Sequence, residues 1–241
     1  MEIIAELHPQ HGGDRDVIKK MIHQAKANGA DVAKFQLYNA FKLFSSHDWD
    51  YLEFDKRGVH QLVSWCEEEG IEFMASVFDE ERLKWCEEFG VRRYKIASRT
   101  VKEDMVLCNA ILNTGKEAIV SLGMWNEKEK PFKANSKVKY LYCVSKYPAS
   151  LEDMKGFPGD FKKEGFAGYS DHTVGIDMCL LAVARGAGII EKHFTFDKTR
   201  IRNTEKAHPC SMLPEELNML SDTGRKIYRD YCAIFKNNGA K

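Results

Sequence analysis

The chain has 241 residues, 44% of them apolar and 30% charged, with 36 basic and 36 acidic side chains and a formal net charge of zero. That length suits one (β/α)8 barrel or two small domains, and the charge balance gives no support for a nucleic-acid or membrane partner, which a basic excess would suggest. No stretch approaches the roughly 18 apolar residues of a membrane span, Met1-Glu2-Ile3-Ile4-Ala5-Glu6 lacks the basic start and cleavage site of a signal peptide, and seven cysteines with no CxxC pair, Cys66, Cys86, Cys143 and Cys179 among them, read as reduced, buried small hydrophobes of a cytoplasmic protein.

Short apolar runs alternate with helical patterns from end to end. Strands are predicted over 3–7, 31–37, 71–77, 92–98, 117–123, 137–144, 165–171 and 188–195. Amphipathic segments at 14–28, 57–69, 80–89, 103–113 and 175–185 fall between them. A last helix at 214–235 opens on Pro214, with Glu215 and Glu216 suited to the positive helix end. Alternating β and α elements imply a parallel sheet with helices outside it, and eight repeats predict closure into a single-domain (β/α)8 TIM barrel over 1–241. Trp65-Cys66-Glu67-Glu68-Glu69-Gly70 recurs twenty residues later as Trp85-Cys86-Glu87-Glu88-Phe89-Gly90, each copy ending a helix on a glycine suited to positive φ. The fifth unit is weakest: 125–136 is short, charged and carries Pro131, so a loop is expected in place of its helix.

Active sites of this fold sit at the C-terminal ends of the strands. Strand one offers Glu6 and His8 there, strand two Lys34 and Gln36, strand three Ser76, strand four Lys95 and Ser98, and strand five Ser121. Strand six leads into Tyr147, strand seven carries Ser170, Asp171 and His172, and strand eight Glu191, Lys192 and His193. Alternation puts Lys34 with Gln36, Ser170 with His172, and Glu191 with His193 on shared faces, so each pair can enter the barrel mouth together. Lys192 has the other parity and is expected to face a helix. A lone histidine at a strand end is ordinarily structural, but two at matched positions on adjacent strands, with carboxylates beside them, favour a metal site. An ammonium inside a run such as Val32-Ala33-Lys34-Phe35 is costly to bury without an anion nearby, which favours a function for Lys34 and Lys95. The serines taken alone divide evenly between structure and function, and Glu67-Glu68-Glu69 reads as a solvated helix end.

These segments together resemble the sialic acid synthase family. Ile3-Ile4-Ala5-Glu6 followed by Gln10-His11-Gly12-Gly13 looks like the family's opening strand and loop, IAEIG-NHNG. Ala30-Asp31-Val32-Ala33-Lys34-Phe35-Gln36 looks like its second strand, Tyr94-Lys95-Ile96-Ala97-Ser98 like the fourth, and Ser121-Leu122-Gly123-Met124 like its STGM turn. Cys143-Val144-Ser145-Lys146-Tyr147-Pro148 resembles the HC-S-YP segment. Tyr169-Ser170-Asp171-His172-Thr173 and Ile190-Glu191-Lys192-His193-Phe194-Thr195 are the most specific matches. The resemblance implies metal-dependent condensation of phosphoenolpyruvate with a sugar aldehyde, N-acetylhexosamine-like or another aldose, giving a 2-keto-3-deoxy sugar acid and phosphate. It implies a divalent metal, Mn²⁺ or Mg²⁺, on His172 and His193, and phosphoenolpyruvate on Lys34, Ser76, Lys95, Ser98, Ser121 and Ser170. Glu6, Gln36 and Tyr147 would face the acceptor, with Glu6, Lys95 and Glu191 as catalytic groups. A phosphate and a carboxylate require the ammonium and hydroxyl donors that these positions supply. The implied partners are small molecules, with no nucleic acid and no membrane, and a homodimer is left open.

Three departures stand out. Arg99 and Thr100 follow Ser98, where the family has an acidic residue two positions after that serine; Ala207 precedes His208, where it has Asp. Both acidic groups normally contact acceptor hydroxyls. The family's C-terminal antifreeze-like domain is expected to be absent, because the chain ends at Lys241 just after the eighth helix. The phosphoenolpyruvate half therefore reads as intact and the sugar half as rebuilt. The basic and polar segment 198–209 (Lys198, Arg200, Arg202, Asn203, Lys206, His208) is the expected replacement. Its charge suits an acidic or phosphorylated acceptor, or is simply that of a solvated loop. Two rivals stay open: a Schiff-base aldolase on the same fold, with Lys95 or Lys192 as nucleophile, and a degenerate, non-catalytic synthase that binds phosphoenolpyruvate or sugar.

Overall fold

The computed structural model describes residues 1–199, 202 and 204–235. Strands β1 (Glu2–Glu6), β2 (Val32–Leu37), β3 (Glu72–Val77), β4 (Arg93–Ile96), β5 (Glu117–Ser121), β6 (Val138–Cys143), β7 (Gly168–Asp171) and β8 (Ile189–His193) each pair in parallel with the next. β8 returns to β1 and closes the barrel. Outside lie α1 (Arg15–Ala27), α2 (Ala40–Phe44), α3 (Lys56–Glu69), α4 (Glu80–Glu88), α5 (Ser98–Glu103), α6 (Met105–Asn113), α7 (Asp177–Ala184) and α8 (Pro214–Phe235). The chain is thus the (β/α)8 barrel that its alternating pattern predicts.

Helix boundaries follow local chemistry. Asp14, Asp55, Asp79 and Asp104 accept backbone N–H groups at the starts of α1, α3, α4 and α6, satisfying donors that a first turn leaves free. Gly70 closes α3 at φ 64°, as the Trp-Cys-Glu-Glu repeat predicts. No helix lies between β5 and β6 among the described residues, in line with the charged, proline-bearing 125–136. The predicted helix 103–113 is present as α6, and a separate short helix, α5, precedes it. Asp104, at φ −139° and ψ 78°, leaves the helical region, and its side chain caps Leu107 N at 2.8 Å. The earlier start of α5 carries Ser98 and Arg99 off the end of β4 and onto a first helical turn. No described helix is long and apolar enough to cross a membrane.

Inside the barrel the side chains stack in three layers. At the N-terminal end Arg93 donates to Glu72 (2.7 Å), Glu2 (2.8 Å) and Glu117 (3.1 Å), one cation bridging three strands besides its own. Two residues further along, Ile4, Val32, Met74, Ile119, Leu141 and Ile189 form a dry plug, each such burial contributing about 1.5–3 kcal/mol. One more step of the two-residue alternation reaches the polar layer. There Glu6 stands opposite both Lys34 and His193, Ser76 opposite both Gln36 and Lys95, and Ser170 opposite Glu191. Gly168 lets β7 approach β8: a Cβ there would lie 1.9 Å from Ile189 O, so no larger residue fits this register.

Candidate active site

The polar layer opens upward into a cavity of about 320 Å³ at the C-terminal mouth, a size typical of small-molecule sites. The twelve positions given a role by the family resemblance all line it, Glu6, Lys34, Gln36, Ser76, Lys95, Ser98, Ser121, Tyr147, Ser170, His172, Glu191 and His193, whereas the other strand-end candidates, His8, Asp171 and Lys192, do not. Lys34 and Lys95 are buried, and each has a carboxylate to answer it. Lys34 Nζ donates to Glu6 in a very short contact and to Ser76 Oγ at 3.3 Å. Lys95 Nζ lies 3.8 Å from Glu191 Oε1 across the barrel and donates to Ile96 O at 3.2 Å. Ser170 Oγ donates to the same Glu191 oxygen at 2.9 Å. Glu191 Oε2 and Ser121 Oγ are buried with no hydrogen-bond partner among the described residues. Such a group costs about 1–3 kcal/mol unless something in the cavity meets it.

These charges act on one another. Burial would lower Lys34, but Glu191 and Glu6 outweigh it and hold the ammonium protonated. Burial lowers Lys95, and Glu191 only partly offsets that. Glu6 is pushed up by burial against the pull of Lys34. Burial would likewise raise Glu191, yet Lys34 and Lys95 bring it below the ordinary carboxylate value. The arrangement is a buried cluster of four ionisable groups, in which two ammoniums lean on two internal carboxylates.

His172 directly follows β7 and His193 ends β8, with ring centroids 5.6 Å apart. Each has its Nδ1 engaged from behind, His172 with Val144 O at 2.7 Å and His193 with Gln10 Oε1 at 3.1 Å. If those Nδ1 atoms carry the proton, both Nε2 lone pairs are left for a cation, the usual support for a ligating histidine. Burial keeps His193 well below the usual imidazole value, and therefore neutral. No group of three or more His, Cys, Asp or Glu among the described residues is placed to hold an ion. With each Nδ1 engaged from behind, the two imidazoles could serve as two ligands of a divalent metal whose other ligands would have to come from water or substrate. The Tyr147 ring lies 4.1 Å from that of His172.

The loop after β1 supports both halves of the site. His8 N donates to Glu6 Oε1 at 2.8 Å, and Gln10 holds His193. The His8 side chain turns away from the cavity to Tyr38 OH (2.8 Å) and to His11 (3.0 Å), where Gly13 N–H meets His11 Nδ1 at 2.9 Å. Since Gly13 must donate, His11 donates through Nε2 to His8 Nδ1, and His8 through Nε2 to Tyr38. The strand-end listing alone does not separate Glu6, which lines the cavity, from His8, which does not. Gln10, Ser145, Phe44 and Met124 carried no signal as single residues. Cys143, read as a buried hydrophobe, borders the cavity with Sγ 3.9 Å from His172 Nδ1. A Cβ at Gly123 would fall 2.6 Å from Ser145 Oγ and 2.9 Å from Cys143 Sγ, so a larger residue there would have to displace these two side chains.

Two expectations are corrected. Lys192 is no candidate nucleophile: it lies outside the cavity with its side chain 0% exposed, donating to Asp171 Oδ2 at 2.6 Å and Thr173 O at 2.7 Å beside Cys179 of α7. The described residues of segment 198–209 do not rebuild the acceptor wall, for none of them lines the cavity. Lys198 pairs with Glu216 at 3.0 Å, His208 is buried 3.2 Å from Glu205, and Arg202 sits over the Tyr51 ring. Arg200 and Asn203 lie outside the described residues. Ala207 is buried away from the site, and Thr100 lines a neighbouring cavity, while Arg99 borders both that cavity and the main one.

A family profile described as the NeuB family matches residues 21–233. The chain belongs to the NeuB family. It is 33% identical to the N,N'-diacetyllegionaminic acid synthase of Legionella pneumophila over 90% of this chain and 69% of that protein. It is 31% identical to the human N-acetylneuraminate-9-phosphate synthase over 94% and 70%. Among solved structures, the N-acetylneuraminic acid (sialic acid) synthetase of Leptospira borgpetersenii, crystallised with citrate, superposes with a TM-score of 0.86 at 33% identity, over 95% of this chain and 84% of that one. The spore coat polysaccharide biosynthesis protein spsE of Bacillus subtilis, 24% identical with a TM-score of 0.76, shares the fold. NeuB membership places a sugar-acid synthase barrel around the cavity described above.

Proposed function

We propose that the protein condenses phosphoenolpyruvate with an aldose or N-acetylhexosamine to give a 2-keto-3-deoxy sugar acid and inorganic phosphate. The observation that carries this reading is the convergence of Lys34, Lys95, Ser76, Ser98, Ser121 and Ser170 with an imidazole pair in one cavity. Phosphoenolpyruvate brings a phosphate and a carboxylate, and both lysines then exchange an internal carboxylate for a substrate anion in charge-assisted hydrogen bonds. His172 and His193 would hold a divalent cation, Mn²⁺ or Mg²⁺, which supplies Lewis-acid polarisation of the acceptor aldehyde. The new C–C bond forms between the enol carbon and the aldehyde carbon, whose oxygen takes a proton. Water adds at the carbon that bore the phosphate, and phosphate departs. Glu6, raised by burial and next to Lys34, is suited to hold or move the acceptor's proton. Gln36 and Tyr147, which also line the cavity, would face the acceptor.

One observation favours a second reading. Burial lowers Lys95, as a Schiff-base nucleophile requires. Phosphate release from phosphoenolpyruvate across a panel of aldoses and N-acetylhexosamines, with Mn²⁺, Mg²⁺ or chelator, tests the first reading. Borohydride trapping with pyruvate tests the second. Acceptor-dependent phosphate release that chelator abolishes, without trapping, supports the synthase; a trapped adduct at Lys95 supports the aldolase.

A further inference from the structure

Three cations border the cavity: Lys34, Lys95 and Arg99. The first two face carboxylates that line it too. Arg99 does not: its acid, Glu103, stands outside the cavity, the two side chains being 40% and 49% exposed. A solvent-exposed pair of this kind contributes little and leaves the guanidinium's charge available to a ligand.

The group is also held in place. Nε donates to Glu103 at 2.7 Å, Nη2 donates to Leu43 O at 3.1 Å, and the guanidinium lies 5.7 Å from the Phe44 ring centroid. Nη1 has no hydrogen-bond partner among the described residues. A planar fork already fixed loses little conformational freedom on meeting a carboxylate or phosphate. Its place in the barrel matters equally. Arg99 follows β4, four strands round the ring from β8 in either direction, and the Lys95–Glu191 contact confirms that β4 and β8 face each other across the mouth. The imidazoles stand just after β7 and at the end of β8, with Tyr147 packed beside them. An acceptor whose aldehyde lay at the imidazoles and whose chain crossed the mouth would bring its far end to Arg99. Thr100 contributes no carboxylate to compete there and lines the adjoining cavity instead.

We infer that Arg99 is the residue that selects the acceptor, and that the acceptor carries an anionic group, a phosphate ester or a carboxylate, at the end remote from its aldehyde. This rests on the phosphoenolpyruvate–aldose reading above.

The test is calorimetric, on the whole protein with Mn²⁺ and phosphoenolpyruvate, using three non-reacting alditols: those of N-acetylmannosamine, of its 6-phosphate and of the corresponding uronic acid. At least one charged alditol binds about tenfold or more tighter than the neutral one, as expected for one charge-assisted bond. Arg99→Gln brings that ratio below about threefold. Glu103→Gln, which removes the competing acid and keeps the guanidinium, raises it, a direction that a merely structural role for Arg99 would not produce. Preference for the phosphate or for the uronate names the anion. Equal binding of neutral and charged alditols by the wild type, a preference that survives Arg99→Gln, or no alditol binding while phosphoenolpyruvate binds overturns the inference. Failure of phosphoenolpyruvate itself to bind overturns the reading beneath it as well.

Discussion

Replacing Lys192 by Met separates the structural lysine of β8 from the lysines of the cavity. The Lys192 and Asp171 side chains are both 0% exposed and 2.6 Å apart, and Met keeps most of the apolar stem, so the change removes charge more than packing. It strands a carboxylate with no counter-charge, a loss of about 3–5 kcal/mol for a buried pair. Asp171 retains Tyr169 OH (2.7 Å), Thr173 N (2.8 Å), Thr173 Oγ1 (2.8 Å) and Cys179 Sγ (3.1 Å), which places the expected loss near the lower end, about 3 kcal/mol. Urea unfolding read by linear extrapolation measures it. Adding Asp171→Asn removes the stranded charge and restores about half or more of the loss, because the two sites are directly coupled. A single variant within about 1 kcal/mol of wild type, or a double variant no more stable than the single, would refute this account of the pair.

Other outcomes follow from the cavity. Lys95→Met weakens phosphoenolpyruvate binding by roughly ten- to a hundredfold, one charge-assisted bond, and shrinks the rise in Tm that millimolar phosphoenolpyruvate gives the wild type; an unchanged rise contradicts the role of Lys95. His172→Ala and His193→Ala each abolish high-affinity Mn²⁺ binding, followed by the electron paramagnetic resonance of free Mn²⁺, while circular dichroism stays native; normal affinity in both would remove the metal from the reading. His11, lowered by burial from 6.5 to about 3, stays neutral in the fold while the unfolded chain takes up a proton below about pH 6.5. Its stabilisation is therefore complete above that pH and is lost toward pH 3, at about 1.4 kcal/mol per unit. His11→Gln flattens the slope of stability against pH by about that amount between pH 6 and 4, and an unaltered slope would mean that another group sets it.

Much of this was readable because a barrel strand writes its geometry at a period of two. The parity that put Glu191 with His193 and excluded Lys192 is the parity of the polar layer, and charges as costly to bury as Lys34 announce themselves in an apolar run. What escaped depended on contacts distant in sequence. Arg93 looks like any strand-end arginine until closure brings Glu2, Glu72 and Glu117 around it. Gln10 becomes part of the site only because β1 and β8 are neighbours. The break at Asp104 turns on its competition between helix interior and N-cap, a choice that local pattern leaves even. The basic charge of 198–209 pointed toward the cavity, but Glu216 and Glu205 claim Lys198 and His208 first.

The central claim is that the carbon skeleton of phosphoenolpyruvate is joined to a sugar aldehyde in this cavity. Mass spectrometry of the products formed from phosphoenolpyruvate, an acceptor aldose and Mn²⁺, with pyruvate replacing phosphoenolpyruvate in a parallel sample, measures it directly. The account predicts a product with the mass of the acceptor plus one pyruvate unit, equimolar with released phosphate, and none from pyruvate. Phosphate and free pyruvate without a joined product, or the same product made from pyruvate, would contradict it.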